Sequence, residues 1–169
     1  GDTLIDIDEQ PGKARPEKIP TLKPAFKKDG TITAANASSI SDGASALVLT
    51  SSVYAQQKNL QPLARIVAHA THGQLPAEFT LAPIGAIKKV LEKAGWNSAE
   101  VDLFEINEAF AVVSLLAIQE LGLDENKVNV NGGACALGHP IGSSGSRIVV
   151  TLINALKQRG LTKGVASLC

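Results

Sequence analysis

A glycine-rich stretch around a single histidine constrains the fold of this chain most. Residues 128–147 read VNVNGGACALGHPIGSSGSR, so a short apolar run leads through Gly132 and Gly133 to His139. Glycines let the backbone turn with positive φ and approach a ligand closely. A long apolar run follows, and the start of a helix there would offer unpaired N–H groups. This order of strand, turn, histidine and helix predicts an imidazole at the edge of an α/β sheet.

Hydrophobic periodicity predicts alternating helices and strands over most of the chain. Apolar residues at helical spacing predict helices over 83–94, 108–121 and 146–156, and Ser51 or Ser52 is expected to cap a short helix through residue 58. The last two long helices are apolar on nearly every side, which is typical of helices buried between layers. Aromatic residues make up only 4% of the chain, which favours an aliphatic α/β core. Short apolar runs predict strands at residues 46–49, 63–68, 101–106, 128–130 and 165–168.

Charge and cysteine content restrict the class of protein. The 16 basic and 16 acidic residues balance, which argues against a general attraction to nucleic acid or to a membrane surface. Two cysteines are too few for a disulfide framework, the chain starts with nothing like a signal peptide, and no apolar run is long enough to span a bilayer. We therefore expect a cytoplasmic protein, or a mitochondrial matrix protein in a eukaryote. The basic residues within 1–30 fit a solvated connector or, alternatively, an edge that attracts a phosphate-bearing ligand.

Three chemically reactive residues each follow a predicted strand. Asn107, His139 and Cys169 are far apart in sequence, but the carboxyl ends of parallel strands meet at one edge of a sheet, where ligands bind. An imidazole can accept a proton from a thiol, a cysteine can act as nucleophile or proton donor, and an asparagine can donate to an oxyanion. The set suits acyl transfer through a thioester or proton abstraction next to a carbonyl.

Each of these residues also has a structural interpretation. His139 could hold a loop, Asn107 could cap the following helix, and Cys169 could be a buried thiol. Cys135 and His139 have the spacing Cys-x3-His, but two ligands do not make a zinc site, and we expect no metal.

Four motifs resemble those of the thiolase family. They are NEAF at residues 107–110, NVNGGACALGHPIGSSGSRIV at 129–149, GVASLC at 164–169 and TAANASSISDGASALVL at 33–49. The resemblance covers nearly the whole chain and is closest to the short-chain biosynthetic type, the acetyl-CoA acetyltransferases. It implies a mixed five-stranded sheet layered with helices, which is half of an α/β/α/β/α sandwich. On this basis residues 1–30 are a connector from a loop domain, 31–60 end an N-terminal domain, and 61–169 form a C-terminal domain that lacks its last segment.

The resemblance implies a reaction that uses coenzyme A thioesters as substrates and needs no cofactor. Two acetyl-CoA molecules undergo a Claisen condensation to acetoacetyl-CoA, and the reverse is thiolysis. His139 matches the residue that activates a nucleophilic cysteine, Asn107 matches the one that holds an oxyanion-hole water, and Cys169 matches the second catalytic cysteine. That nucleophilic cysteine belongs to the N-terminal half, so we expect these 169 residues alone to be inactive.

Other motif positions are expected to shape the substrate site. Phe110, Pro140 and Glu108 fall in family motifs, and Ala68 occupies a position where many relatives carry a serine that touches the pantetheine arm. Cys135 is interpreted as a packing residue and not as a substitute for the nucleophile.

The sequence leaves two alternative functions open, and the family resemblance implies a set of partners. The alternatives are a degradative 3-ketoacyl-CoA thiolase of fatty-acid β-oxidation and a thiolase-like domain without chemistry. The expected partners are acetyl-CoA or acetoacetyl-CoA, the N-terminal half with its cysteine, and further copies in a homodimer or homotetramer. Neither nucleic acid nor a membrane is an expected partner.

Overall fold

The N-terminal part of the chain forms a unit with little core. The computed structural model describes residues 2–169, and one compact unit ends at Ala35 while the other is Asn36–Cys169. In the first unit, helix α1 (Glu9–Lys13) begins where the Asp8 side chain accepts a hydrogen bond of 2.9 Å from the Gln10 N–H. A 3₁₀ turn, Pro16–Thr21, follows, and neither element buries a residue. The prediction that residues 1–30 act as a connector is not tested by this geometry and stays a prediction.

The second unit has the predicted α/β organisation. Helix α2 begins after Ser51, whose hydroxyl accepts a hydrogen bond from the Tyr54 N–H, which confirms the predicted cap. Pro83 lies in the first turn of α3, and Gly95 ends that helix with φ 68°, also as predicted. The elements in order are α2 (Ser52–Gln57), α3 (Ala82–Ala94), β1 (Leu103–Ile106), α4 (Ala111–Leu121), α5 (Ala134–Leu137), α6 (Ile141–Arg159) and β2 (Gly164–Ser167), with 3₁₀ turns at Pro76–Leu81, Ser98–Glu100 and Glu125–Lys127.

A two-stranded parallel sheet lies at the centre of this unit. Strands β1 and β2 pair in register from Leu103 opposite Gly164 to Ile106 opposite Ser167. All four residues of β1 are buried. Because side chains alternate along a strand, Phe104 and Ile106 join one apolar cluster with α3 and α4, while Leu103 joins Leu152 of α6 on the other side. The parallel pairing brings the carboxyl ends of both strands to one edge.

Two predicted strands do not form in the described chain. Residues 46–49 and 63–68 form no strand, and among residues 2–169 no strand lies beside them. Their apolar side chains are therefore not covered: Val48 is 96% exposed and Ile66 is 68% exposed. A strand needs a neighbour to satisfy its backbone groups and bury its side chains, so these predictions are wrong for the described chain.

The predicted strand at residues 128–130 is reduced to one bridge, between Phe104 and Val128. Asn129 leaves the extended region with φ 48°. Its side-chain amide then takes the place of a strand neighbour, because Oδ1 accepts from the Ile106 N–H at 2.8 Å and Nδ2 donates to the Ile106 carbonyl at 2.9 Å. Within residues 2–169 the sheet thus has two strands, where the family resemblance implied five.

Two helices differ in length or burial from the prediction. Helix α4 starts at Ala111 and not at Glu108, because Phe110 is extended and forms a bridge with Ala37. Its face around Val113 is buried, but Leu115 is 61% exposed, so within residues 2–169 only part of this nearly all-apolar helix is covered. Helix α6 is longer than predicted and begins directly after Pro140. Among the described residues, no helix combines the length and hydrophobicity needed to cross a bilayer.

Candidate active site

Asn107 and His139 lie together at the carboxyl edge of the sheet. Asn107 directly follows β1, is 1% exposed, and its N–H donates to the Ser167 carbonyl at 2.9 Å. Its side-chain Nδ2 lies 3.4 Å from His139 Nε2. The structure therefore brings these two predicted residues together, although a single bridge at Val128, and not a strand, precedes the His139 loop.

Ser144 fixes the protonation pattern of the His139 ring. The His139 Nδ1 atom lies 2.6 Å from the Ser144 hydroxyl, and that hydroxyl donates to the Pro140 carbonyl at 3.1 Å. A hydroxyl has one proton, so the Ser144 oxygen is left to accept from Nδ1–H. The lone pair is then on Nε2, which faces Asn107 Nδ2. A neutral imidazole in this tautomer can act as a base at Nε2.

The segment from Asn36 to Ser45 supports the histidine loop and the start of α6. The Ser39 carbonyl accepts from the His139 N–H at 3.0 Å, so the loop is held by a backbone bridge at Ile40. Farther along, the Ser45 hydroxyl is 2.8 Å from that of Ser143. These contacts hold His139 from outside the sheet.

Glu108 organises the glycine-rich loop between β1 and His139. One carboxylate oxygen accepts from the Cys135 N–H at 3.1 Å, at the first turn of α5. The other accepts from Asn129 Nδ2 at 3.0 Å. Gly133 passes so close to this carboxylate that a Cβ there would overlap it. The glycine is thus required by close approach and not by a turn with positive φ.

A Gly133→Ala variant is expected to lower the free energy of unfolding by about 1–3 kcal/mol, the usual cost of overpacking a filled site. Chemical denaturation measures this. Gly142→Ala is the matched control, because nothing lies within 4 Å of a Cβ at Gly142, within helix α6, and alanine favours a helix. Equal stability of the Gly133→Ala variant and the wild type would contradict the close approach of Glu108.

Burial and a nearby cation lower the pKa of His139. Partial burial of the ring is the larger cause, and the guanidinium of Arg147 adds to it. Arg147 lies in α6 and approaches Glu105 Oε2 at 3.7 Å. Burial of Glu105 raises its pKa to about 7, although Arg147 acts in the opposite direction. A lowered pKa keeps His139 neutral near pH 7, which is the state a general base needs.

Cys169 lies at the same edge, two residues beyond the end of β2. No hydrogen bond joins it to Asn107 or His139 within the part of the chain that is described. The residue is exposed as a whole, but partial burial of the thiol raises its pKa. A thiol with a raised pKa is protonated near pH 7 and is suited to donate a proton before it accepts one.

Cys135 has the properties of a packing residue. It is half-buried, and burial together with the Glu108 carboxylate raises the pKa of its thiol to about 11. A thiol in this setting is a poor nucleophile, because the thiolate is the reactive form. Among residues 2–169, no three histidine, cysteine or carboxylate side chains are grouped as metal ligands.

The predicted substrate-site residues have different surroundings. Phe110 packs edge-on against Phe79 at a ring distance of 6.2 Å, and Pro140 caps α6. Ala68 is half-buried in the segment at residues 63–68, which forms no strand. Their contacts with a substrate stay predictions.

Ser144 and Arg147 contact the predicted site residues but were not themselves predicted to belong to the site. The available signal was their position on α6, since residues three apart share a helix face, and Arg147 is the only charged residue in the first two-thirds of that helix. A cation on a helix predicted to be buried indicates a polar partner.

Comparison with known proteins identifies the family. The model of the thiolase C-terminal domain matches residues 60–169, and that of the thiolase N-terminal domain matches residues 1–53. A probable acetyl-CoA acetyltransferase of Dictyostelium discoideum is 56% identical over 167 residues, which are 99% of this chain and 40% of the relative. The chain thus spans about two fifths of that relative.

Solved structures agree with this match. The acetyl-CoA acetyltransferase of Bacillus anthracis aligns with a TM-score of 0.87 at 55% identity over 90% of this chain and 39% of that protein. The Acat5 thiolase of Ascaris suum, solved in complex with coenzyme A, aligns with a TM-score of 0.89 at 49% identity over 98% of this chain and 43% of that protein. The family models, the sequence relative and both structures agree, and the chain belongs to the thiolase family.

Proposed function

We propose that this chain is the C-terminal part of an acetyl-CoA C-acetyltransferase, which condenses two acetyl-CoA molecules to acetoacetyl-CoA and catalyses the reverse thiolysis. The observation that carries the proposal is the pairing of Asn107 Nδ2 with His139 Nε2 at 3.4 Å, with the ring tautomer set by Ser144. The chain would supply the acid/base groups, and an N-terminal half of the complete enzyme would supply the nucleophilic cysteine.

In the acylation step, His139 Nε2 takes the proton of the nucleophilic thiol, and the sulfur attacks the acetyl-CoA carbonyl. Asn107 stabilises the oxyanion through a bound water. The bond to the coenzyme A sulfur breaks, and the departing thiolate takes the proton of Cys169. The raised pKa of Cys169 supports this order, because its thiol is protonated before the reaction.

In the condensation step, the Cys169 thiolate takes an α-proton from a second acetyl-CoA. The resulting enolate carbon attacks the acetyl-enzyme, and a carbon–carbon bond forms. The enzyme sulfur then leaves and regains its proton from the His139 imidazolium. The sum is acetoacetyl-CoA plus free coenzyme A, and every protein group returns to its starting state.

We further propose the substrates, the substrate-site residues, the oligomeric state and the compartment of the complete enzyme. Coenzyme A thioesters are substrates, and no further cofactor or metal is part of the scheme. Phe110, Pro140 and Ala68 shape the substrate site. The complete enzyme works as a homodimer or homotetramer in the cytoplasm, or in the mitochondrial matrix of a eukaryote, without nucleic acid or membrane as a partner.

A series of 3-ketoacyl-CoA substrates tests this function. In the complete enzyme, kcat/KM for thiolysis is expected to be highest for the four-carbon substrate and to fall with each longer chain. The release of acetyl-CoA measures it. A kcat/KM that rises with chain length would instead support a degradative 3-ketoacyl-CoA thiolase, and no turnover of any member would support a domain without chemistry.

A further inference from the structure

Arg147 is a largely buried cation at the back of the candidate active site. Its side chain is 18% exposed, and it reaches across from α6 to the end of β1. Nη2 lies 3.5 Å from Asn107 Oδ1, and Nη1 lies 3.7 Å from Glu105 Oε2. Asn107 is therefore held between Arg147 on one side and His139 on the other.

The chemistry of the guanidinium limits how the Asn107 amide can point. Arginine has N–H donors and no acceptor, so the amide end that faces Arg147 is the oxygen. This leaves Nδ2 toward the lone pair of His139 Nε2. The reversed amide would place two donors against each other at Arg147 and two lone pairs against each other at His139.

We propose that Arg147 is a positioning residue that fixes the amide orientation of Asn107 toward His139, with Glu105 as its countercharge. The inference rests on the proposed function, because it concerns the residues that would stabilise the oxyanion. Arg147 acts through Asn107 and does not itself touch the substrate.

The energetics of the ion pair support a functional role. Glu105 Oε1 and the Nε and Nη1 atoms of Arg147 are buried and have no hydrogen-bond partner within residues 2–169. A buried ion pair with incomplete hydrogen bonding contributes little to stability, since desolvation offsets the attraction. The place of the pair beside Asn107 is better explained by orientation than by folding.

The charged and titratable groups near His139 lie on α6, on β1 with the loop that follows it, and beyond β2. Arg147 approaches from α6 and lowers the pKa of the imidazole. Glu105 on β1 faces Arg147, and Glu108, in the loop after β1, acts on Glu105. Cys169 lies beyond β2 at the same edge. A change at Arg147 therefore acts on the ring both through the Asn107 amide and through its charge.

A double-mutant cycle in the complete enzyme tests whether Arg147 affects kcat through Asn107. Arg147→Gln offers both a donor and an acceptor, so it no longer imposes one amide orientation. It is expected to lower kcat by about 10-fold to 10²-fold, as small misplacements in active sites do, with little change in KM. In an Asn107→Ala background the same substitution should cost no more than about 2-fold, because residues that act through each other are not additive. Equal losses in both backgrounds would overturn the proposal.

Two further variants separate positioning from folding. Arg147→Lys keeps a donor-only cation and is expected to recover most of kcat. Arg147→Met combined with Glu105→Gln removes both charges and leaves no buried ion unpaired, and it should reproduce the loss seen with Arg147→Gln. Arg159→Gln is the matched control, because Arg159 lies on the same helix and also donates to an asparagine Oδ1, that of Asn131, at the exposed end. It should leave kcat unchanged.

The ¹⁵N spectrum of His139 gives a readout that does not need activity. In the wild type, the shifts should show the tautomer with hydrogen on Nδ1. In Arg147→Gln, Ser144 still holds the hydrogen on Nδ1, but the Nε2 shift should move toward that of a lone pair without a hydrogen-bond donor, because the Asn107 amide no longer keeps Nδ2 toward it. Arg159→Gln should match the wild type. An unchanged Nε2 shift in Arg147→Gln would overturn the inference even if the complete enzyme had no thiolase activity. That lack of activity alone would overturn only the proposed function.

Discussion

A His139→Ala variant of the complete enzyme is expected to form the acyl-enzyme about 10²-fold to 10⁴-fold more slowly than the wild type, the range that a positioned general base supplies. In the structure, Nδ1 is bound to Ser144 and Nε2 faces Asn107, so the ring is oriented to take a proton at Nε2. Without it, the nucleophilic thiol must ionise unaided. Rapid quenching after mixing with acetyl-CoA, followed by mass spectrometry of the acetylated protein, measures the rate.

The control for this experiment is another histidine of the same chain. His72 is hydrogen-bonded to the Gln74 side chain and packs beside Gly85 of α3, outside the candidate site. A His72→Gln variant should therefore acylate at the wild-type rate. Near-normal acylation by His139→Ala would show that the imidazole is not the base and would remove the main residue from the proposed mechanism.

A Cys169→Ala variant is expected to separate the two half-reactions. It should still form the acyl-enzyme, although more slowly, because the coenzyme A thiolate can leave without taking a proton from the protein. Condensation should fall by about 10²-fold to 10⁴-fold, because no other group in the scheme removes the α-proton. Acetylation is measured by mass spectrometry, and condensation by the absorbance of the acetoacetyl-CoA enolate.

The second cysteine provides the matched comparison. Cys135 has its pKa raised to about 11 beside Glu108 and has no role in the mechanism, so Cys135→Ala should retain both half-reactions. If Cys169→Ala condensed acetyl-CoA at the wild-type rate, the assignment of Cys169 as the acid/base thiol would be wrong.

Local sequence rules were sufficient for the elements that end in clear signals. Pro83 and Gly95 delimit α3, and Ser51 caps α2, because each residue acts on the backbone within one turn. The grouping of Asn107 and His139 was also predicted, although only a parallel bridge between Phe104 and Val128 remains of the strand expected before His139.

The predicted and observed strands differ where a side chain or a distant segment determines whether a strand forms. Asn129 ends a predicted strand because its amide imitates a peptide group opposite Ile106, and nothing in the apolar pattern of residues 128–130 signals this. The segments at residues 46–49 and 63–68 have strand-like sequences, but pairing depends on a neighbour that no other described residue provides.

The electrostatic part of the site was the least predictable from sequence. Ser144 and Arg147 contact His139 and Asn107 only because α6 begins directly after Pro140 and turns that helix face toward the end of β1. The tautomer of His139 depends on the Ser144 contact, and the amide orientation of Asn107 depends on the Arg147 contact. These contacts join residues that are five and 40 positions apart, respectively.

A crystal structure of the complete enzyme, trapped as its acetyl thioester with acetyl-CoA bound, would show whether His139 and Cys169 lie beside the reacting atoms. We predict that His139 Nε2 lies within about 3.2 Å of an oxygen or sulfur atom of the reacting thioester, or reaches it through one water held by Asn107. We also predict that the Cys169 sulfur lies beside the methyl carbon of the bound acetyl-CoA. An acetyl group bound away from both residues would contradict the account.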